Sequence, residues 1–488
     1  VIVVKQQAFN PYLPSWEYIP DGEPYVFDDR IYVYGSHDSF GAPIFCVNDY
    51  VCWSAPINDL SDWRYEGIIY RKKQDPCNKL GLRSLYAPDL AKGADGRYYL
   101  YYALDFMGRM GVAVCNTPAG QYEFYGYVHF EDGHIWGTKS GEPFPFDPGI
   151  LVDDNGKIYL YSGFAVKVPF VASRGHNLTN EGGVVLQLKQ DMLTIKEGPI
   201  LLFPIKGKAG AFKNHAFFEA SSIRKVGSQY CFVYSSEHNH DLCYALSDSP
   251  MGPFTFEGRL IDIGDLGLAG NEDEKHASNY LGNTHGGLLE VCGKWYVFYH
   301  RQTNRSSYAR QACAEKIELT ADGKFCQAEV TSCGLNDGPL RGLGKYDARI
   351  ACNLWSSQGT GRYDCRAPKK RFKNHPYFTQ SGKDRESNGD QYIANMRDGA
   401  VAGYKYFDMG EANRIQIDIG GKAKGTVQVA DNKDFITNCA EISICISENK
   451  RMTFSSNLKM GKGKKAVYFR YRGSGYINFY AFGFEKGE

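Results

Sequence analysis

Pro20-Asp21-Gly22-Glu23-Pro24-Tyr25-Val26-Phe27-Asp28-Asp29-Arg30-Ile31-Tyr32-Val33-Tyr34 is a phrase in four parts: an acidic residue, a short apolar run, an Asp turn and an aromatic strand. The phrase returns four times before residue 330, opening on Asp89, Asp147, Glu219 and His285. Its later strands are Arg97-Tyr98-Tyr99-Leu100-Tyr101-Tyr102, Lys157-Ile158-Tyr159-Leu160-Tyr161, Tyr230-Cys231-Phe232-Val233-Tyr234 and Trp295-Tyr296-Val297-Phe298-Tyr299. The equivalent tyrosines Tyr32, Tyr99, Tyr159, Tyr230 and Tyr296 are 67, 60, 71 and 66 residues apart, and follow their opening residues by 11, 10, 12, 11 and 11. Self-similarity at such a period marks a repeat architecture, and five β-rich units predict an all-β, five-bladed β-propeller.

In a propeller the blades stand radially about one axis. If each phrase opens the innermost strand of its blade, then Asp21, Asp89, Asp147, Glu219 and His285 converge on one spot. Gathering like charges is unfavourable and raises at least one carboxyl pKa. A chain that does so in several blades is using the acids.

Composition narrows the partners. Lys+Arg 56 against Asp+Glu 55 gives a net charge of +1, which argues against nucleic acid or an anionic membrane surface. Aromatics reach 14%, with 35 tyrosines, a load that suits strands and also sugar faces. No run of about 18 apolar residues offers a spanning helix. The opening Val1-Ile2-Val3-Val4-Lys5-Gln6 has no full signal-peptide layout, so secreted and cytoplasmic locations both stay open. The 14 cysteines are too sparse for a disulfide scaffold, and with no CxxC pair a zinc site is not expected.

Turn pairs Asp95-Gly96, Asn155-Gly156 and Asp322-Gly323 punctuate the strands as hairpins. The propeller is expected over 1–333 and a Gly-rich linker over 334–362. A β-sandwich of jelly-roll type is expected over 363–488, where Ala412-Asn413-Arg414-Ile415-Gln416-Ile417-Asp418-Ile419 and Lys465-Ala466-Val467-Tyr468-Phe469-Arg470-Tyr471 alternate strictly.

From Asn10 to Val330 the motifs resemble glycoside hydrolase family 43, a family of five-bladed propellers. The matching pieces are Pro20-Asp21-Gly22-Glu23-Pro24, Ala87-Pro88-Asp89, Phe146-Asp147-Pro148, Phe218-Glu219-Ala220-Ser221-Ser222 and Gly282-Asn283-Thr284-His285-Gly286. The resemblance implies Asp21 as general base, Asp147 as the residue tuning the acid's pKa, and Glu219 as general acid. It implies an axial role for His285, beside water or a structural calcium ion. Tyr86 and Arg310 fall on substrate-facing positions. Asp89 is expected beside the substrate, with a structural hydrogen bond as its alternative. The family's Asp-Pro pair is replaced here by Asp21-Gly22. The C-terminal part resembles carbohydrate-binding module family 6, through Tyr392-Ile393-Ala394-Asn395-Met396-Arg397-Asp398-Gly399 and the closing Ile477-Asn478-Phe479-Tyr480-Ala481-Phe482-Gly483-Phe484. That likeness implies xylan binding and a further structural calcium, or else a brace for the propeller.

Inverting hydrolysis needs one ionised carboxylate to activate water and one protonated carboxyl to donate to the leaving oxygen, about 6.5–9.5 Å apart. Blades one and four are not neighbours, which sets Asp21 and Glu219 across the pocket. The expected activity is an inverting exo-glycosidase without a required cofactor. It releases α-L-arabinofuranosyl or β-xylosyl ends from arabinoxylan and from xylo- or arabino-oligosaccharides. An endo-arabinanase and a non-catalytic sugar-binding propeller remain alternatives. A retaining fructan-cleaving propeller is disfavoured, because Asp21 precedes Gly22 and Glu219 precedes Ala220.

Overall fold

The computed structural model describes residues 6–487, apart from 211, 213, 239, 269, 364–371, 385–388 and 449. Four four-stranded antiparallel sheets and one of three strands follow one another through residues 23–317. Their first strands are Glu23–Phe27, Leu85–Lys92, Gly149–Val152, Phe217–Val226 and Leu288–Val291. These lie side by side: the first against the second and the fifth, the second against the third, the third against the fourth. They form the inner wall of the five-bladed propeller that the repeat predicts. The aromatic strands come second in each blade, where Tyr34, Tyr101, Tyr161 and Tyr234 are wholly buried between sheets. Among the described residues helix is limited to short 3-10 turns.

Blade five has three strands, and residues 10–12 bond along its outer strand, Ser306–Ile317. Tyr12 donates its N–H to the Ala312 carbonyl at 3.3 Å. The Asn10 amide acts as a piece of strand backbone: Nδ2 donates to the Ala314 carbonyl at 2.9 Å, and Oδ1 accepts from the Ala314 N–H at 3.0 Å. Nδ2 also reaches Glu315 Oε1 at 2.7 Å. The N-terminal segment thereby closes the ring, joining blade one to the outer edge of blade five.

The C-terminal unit is a β-sandwich built on two long bent strands, Arg414–Ala430 and Gly463–Glu485. Its core holds Tyr404, Phe407, Phe469, Phe479 and Phe482. Residues 334–362, expected as a linker, supply strands to this unit. Leu340–Arg341 and Asn353–Trp355 pair with Val401–Met409, and Gly344–Asp347 pairs with Gly463–Glu485. The two units are tied by buried charge. Lys405 reaches Asp265 at 3.0 Å and Glu329 at 2.9 Å, and Arg301 donates to the carbonyls of Ala351 and Arg349 at 2.9 and 2.8 Å.

Asn10→Ala removes the ring-closing amide and leaves the Ala314 N–H buried without its partner. The expected loss is about 1–3 kcal/mol, read as a lower denaturation midpoint in urea. An unchanged midpoint would show that the ring closes without Asn10.

Candidate active site

Three of the opening residues sit where the backbone is forced out of regular geometry. Asp21 and Asp147 adopt φ of 58° and 44°, and Ala220, directly after Glu219, adopts 71°. A non-glycine residue in this left-handed region carries strain that the surrounding structure must hold, and such residues cluster at functional sites. Asp21 and Asp147 lie just ahead of their inner strands. Glu219 lies inside its strand, at a bulge where the pairing slips between Glu219–Ser235 and Ser222–Val233. The bulge turns its side chain out of the ladder.

Asp21, Asp147, Glu219 and His285 line one cavity of about 470 Å³, together with Tyr86 and Arg310. Asp89 stands apart. It is 0% exposed and its oxygens are occupied: Oδ1 accepts from Tyr25 Oη at 2.5 Å and from the Leu90 N–H at 2.8 Å, and Oδ2 from the Ile150 N–H at 2.7 Å. The expectation that it contacts substrate is corrected, because these bonds spend it on joining blades one, two and three.

Arg310 determines the charge state of the site. Its guanidinium forks onto Asp38, with Nε to Oδ2 at 2.8 Å and Nη2 to Oδ1 at 3.1 Å. Nη1 donates to Asp21 Oδ1 at 2.9 Å, and the Phe45 ring lies beneath at 4.7 Å. Burial alone would raise the Asp21 pKa, but Arg310, with His300 and His285, outweighs it and holds the carboxyl below its ordinary value. The Asp21 N–H donates to His300 Nδ1 at 3.3 Å, and His300 Nε2 donates to the Asn283 carbonyl at 2.8 Å. Burial and Arg310 lower His300 to about 3, so the ring is neutral.

Glu219 behaves oppositely. It is half-buried, open to the cavity but ringed by protein. Burial and then the Asp21 charge push it up to about 8. Asp147 is raised too, by burial first and then by Glu219 and Asp21. Its Oδ2 accepts from the Ala220 N–H at 3.1 Å. Glu219 and Asp147 repel each other mutually, so the pair retains a proton at neutral pH. One cavity therefore holds a carboxylate kept ionised on Asp21 and a proton retained on the Glu219–Asp147 pair.

His285 Nδ1 lies 3.7 Å from Asp147 Oδ2, and burial lowers its pKa to about 4. It offers one neutral nitrogen, whereas calcium takes six to eight oxygen ligands. Among the described residues the one close grouping of three metal-type side chains is His215, Asp241 and Cys243, in blade four. There Asp241 is already bonded by Arg259 and Ser236. The axis does not gather a protein cage for calcium.

Several residues at the site were not singled out from sequence. The walls are aromatic, from Phe45, Phe106, Phe146, Phe164, Phe218 and Tyr363. Arg362 and Tyr363 come from the far side of the supposed linker. Phe146 and Phe218 adjoin the acids in the repeat, and His37-Asp38 follows the blade-one strand, so those carried a local signal. His300 and Tyr363 did not.

The profile of glycosyl hydrolases family 43 matches residues 19–325, the span that carries every one of these acids. The chain belongs to glycosyl hydrolase family 43. It is 46% identical over 479 residues to a xylosidase/arabinosidase of Thermoclostridium stercorarium, covering 97% of this chain and 98% of that one. A β-xylosidase of Xylanibacter ruminicola is 28% identical over 63% of this chain and 95% of its own. Among solved structures, a family 43 β-xylosidase/α-arabinofuranosidase from a compost metagenome superimposes with a TM-score of 0.52 at 26% identity, over 67% of this chain and 98% of its own. A family 43 arabinoxylan arabinofuranohydrolase from Bacillus subtilis, at 19% identity and a TM-score of 0.51, shares the fold across 98% of this chain and 97% of its own. This family 43 chain is a glycoside hydrolase.

The Tyr363 hydroxyl lies at the wall of the cavity, 3% exposed for the residue, without a hydrogen-bond partner. A buried unpaired hydroxyl lowers stability, so Tyr363→Phe is expected to melt no lower than the parent chain. A clear fall in melting temperature would mean that the hydroxyl is bonded within the folded chain.

Proposed function

We propose that the cavity cleaves single pentose units from the non-reducing ends or branches of arabinoxylan-type chains, with inversion. The activity is that of an α-L-arabinofuranosidase, a β-D-xylosidase or both. The observation that carries this reading is the opposed charge state of two carboxyl groups in one pocket. Asp21, held ionised by Arg310, takes the proton of the attacking water. Glu219, held protonated to about pH 8, donates to the leaving oxygen. Asp147, raised by burial and by Glu219, shares with Glu219 the proton that the pair retains, and it braces the bulge by accepting the Ala220 N–H. Tyr86 and the phenylalanine walls face the sugar, and His285 stays neutral on the axis.

The relatives' names support the substrate class, since the Thermoclostridium stercorarium protein is named for both activities and resembles this chain over nearly all its length. A cavity closed in by aromatic walls suits a terminal sugar better than the open groove an endo-arabinanase needs. The chemistry needs no cofactor. A structural calcium at the axis would meet the His285 nitrogen, which does not fit its preference for oxygen ligands, and the proton transfers above do not involve it. We assign residues up to 333 to the catalytic unit and the sandwich beyond it to a carbohydrate-binding role of the family 6 type.

Two 4-nitrophenyl glycosides, the α-L-arabinofuranoside and the β-D-xyloside, test the reading, with proton NMR following the anomer first released. The expected result is turnover of at least one with inversion, reduced by about 10³-fold or more in Asp21→Ala. A retained anomer, or undiminished turnover in Asp21→Ala, would overturn it.

The pH profile gives a second test. The acid must be protonated, so kcat/KM is lost as pH rises through about 8, the Glu219 value. The base must be ionised, so the acid limb lies below the ordinary aspartate range, in the direction Asp21 is shifted. An alkaline limb near the unperturbed carboxyl value of about 4.3 would reject Glu219 as the acid.

A further inference from the structure

A second cavity, of about 560 Å³, lies at the seam between propeller and sandwich. We propose that this seam is a second glycan-binding site, which holds the pyranose backbone of a xylan-type chain while the catalytic pocket works on its ends or branches. The proposal rests on the substrate class inferred above.

One wall is the outer face of the sandwich sheet. Leu354, Ala402, Tyr404, Val467 and Phe469 turn into the core, so their neighbours Asn353, Trp355, Val401, Lys405, Tyr468 and Arg470 turn outward and line the cavity. The pairing sets them in rungs. Asn353, Gly403 and Tyr468 stand abreast, then Trp355, Val401 and Arg470. Gly403 gives room for the Tyr468 ring, which a Cβ there would meet at 2.5 Å. Trp355, half-buried, is the aromatic ring this wall offers to the C–H face of a pyranose, with the buried Tyr468 ring behind it at 6.1 Å and tilted by 47°. The facing wall is the polar propeller segment through Asn271, Lys275 and His276.

Two features select the ligand. Asn353 is 2% exposed, and its Nδ2 has no hydrogen-bond partner, so a donor stands at the wall awaiting an acceptor oxygen. Three of the cations on the sandwich wall are already engaged. Lys405 sits between Asp265 and Glu329, Arg472 faces Asp398 at 3.5 Å, and Arg470 donates to Gln428 and lies over Phe435. An anionic ligand would have to compete for them, whereas a neutral, hydroxyl-rich chain uses the aromatic face and the free amide.

The seam also connects with the catalytic pocket. Residues 275–285 and 353–363 run side by side, joined by Leu354 N–H to the Ser278 carbonyl, Thr360 N–H to the Lys275 carbonyl and Tyr363 N–H to the Leu281 carbonyl at 2.9, 3.0 and 2.8 Å. At one end these segments line the seam with Asn353, Trp355 and Lys275. At the other they line the catalytic pocket with Arg362, Tyr363, Asn283 and His285. A chain held in the seam is thus held on the same two segments that wall the pocket.

Trp355→Ala and the milder Trp355→Leu test this, with wheat arabinoxylan and the two 4-nitrophenyl glycosides as substrates. The expected result for both variants is KM on the polymer raised about tenfold, as for loss of an aromatic anchor, with kcat on the polymer and turnover of the nitrophenyl glycosides unchanged. Polymer KM within twofold of the parent in both would overturn the proposal. So would an equal fall on all substrates with Trp355→Leu, which marks a structural role. Calorimetric titration of Glu219→Gln with xylohexaose separates this from the activity itself: a second binding event that disappears with Trp355→Leu supports the seam even if no chromogenic substrate is turned over. Its absence counts against the seam while leaving the catalytic assignment standing.

Discussion

Six carboxyl groups and two guanidinium groups meet on the propeller axis, and this imbalance of buried charge governs the structure. Asp21, Asp147 and Glu219 line the pocket with Arg310, Asp38 lies buried behind that guanidinium, and Glu23 and Asp89 lie deeper with Arg224. Two cations cannot neutralise six acids, and unpaired buried charge is too costly to keep. The excess is relieved by protons. Glu219 and Glu23 are both pushed up to about 8, in each case chiefly by burial. Asp21, against Arg310, is held below its ordinary value, whereas burial raises Asp38 even on the same guanidinium. The position of one arginine thereby helps to set Asp21 below the ordinary carboxyl range while Glu219 lies above it.

The deeper cluster holds the blades at the spacing this sorting requires. Arg224, on blade four, donates to Glu23 Oε2 on blade one at 2.6 Å and to the Leu288 carbonyl on blade five at 2.9 Å. Asp89, on blade two, receives Tyr25 from blade one and the Ile150 N–H from blade three. All five blades meet in this network, two to five residues along the strands from Asp21, Asp147, Glu219 and His285. Removing a partner would leave a buried charge unpaired and shift the strand entrances together. The left-handed conformations of Asp21 and Asp147 persist only because the wall behind them is fixed in this way.

The repeat made most of this legible. Period and phrase gave the five blades, and a common offset from each acid to its tyrosine placed four of the five opening residues in one cavity. Asp89 escaped that logic because the offset does not register a bulge. The pairing between its strand and the next slips after Tyr86, and its side chain points to the neighbouring blades. The linker was misread because Gly334-Leu335-Asn336-Asp337-Gly338-Pro339 breaks alternation, while Leu340–Arg341, Gly344–Asp347 and Asn353–Trp355 are too short to restore it. Lone residues such as His300 and Tyr363 reach the site through long-range pairing, for which local sequence has no marker.

The position of that misread segment also argues against treating the sandwich as an appendage. A module joined by a flexible tether would contribute binding and leave the catalytic pocket complete in the propeller. Here Arg362 and Tyr363 stand in the pocket wall, and Tyr363 is fixed by stacking on Tyr280 of the propeller at 5.0 Å and 13°. The same chain has just supplied Asn353–Trp355 to the sandwich sheet. Lys405, buried between Asp265 and Glu329, makes separation of the two units costly, since it would expose one cation and strand two acids that are now paired. The pocket that meets the sugar is therefore a product of both units: the propeller supplies the proton chemistry, and the segment anchored in the sandwich supplies part of the wall against which the sugar is held.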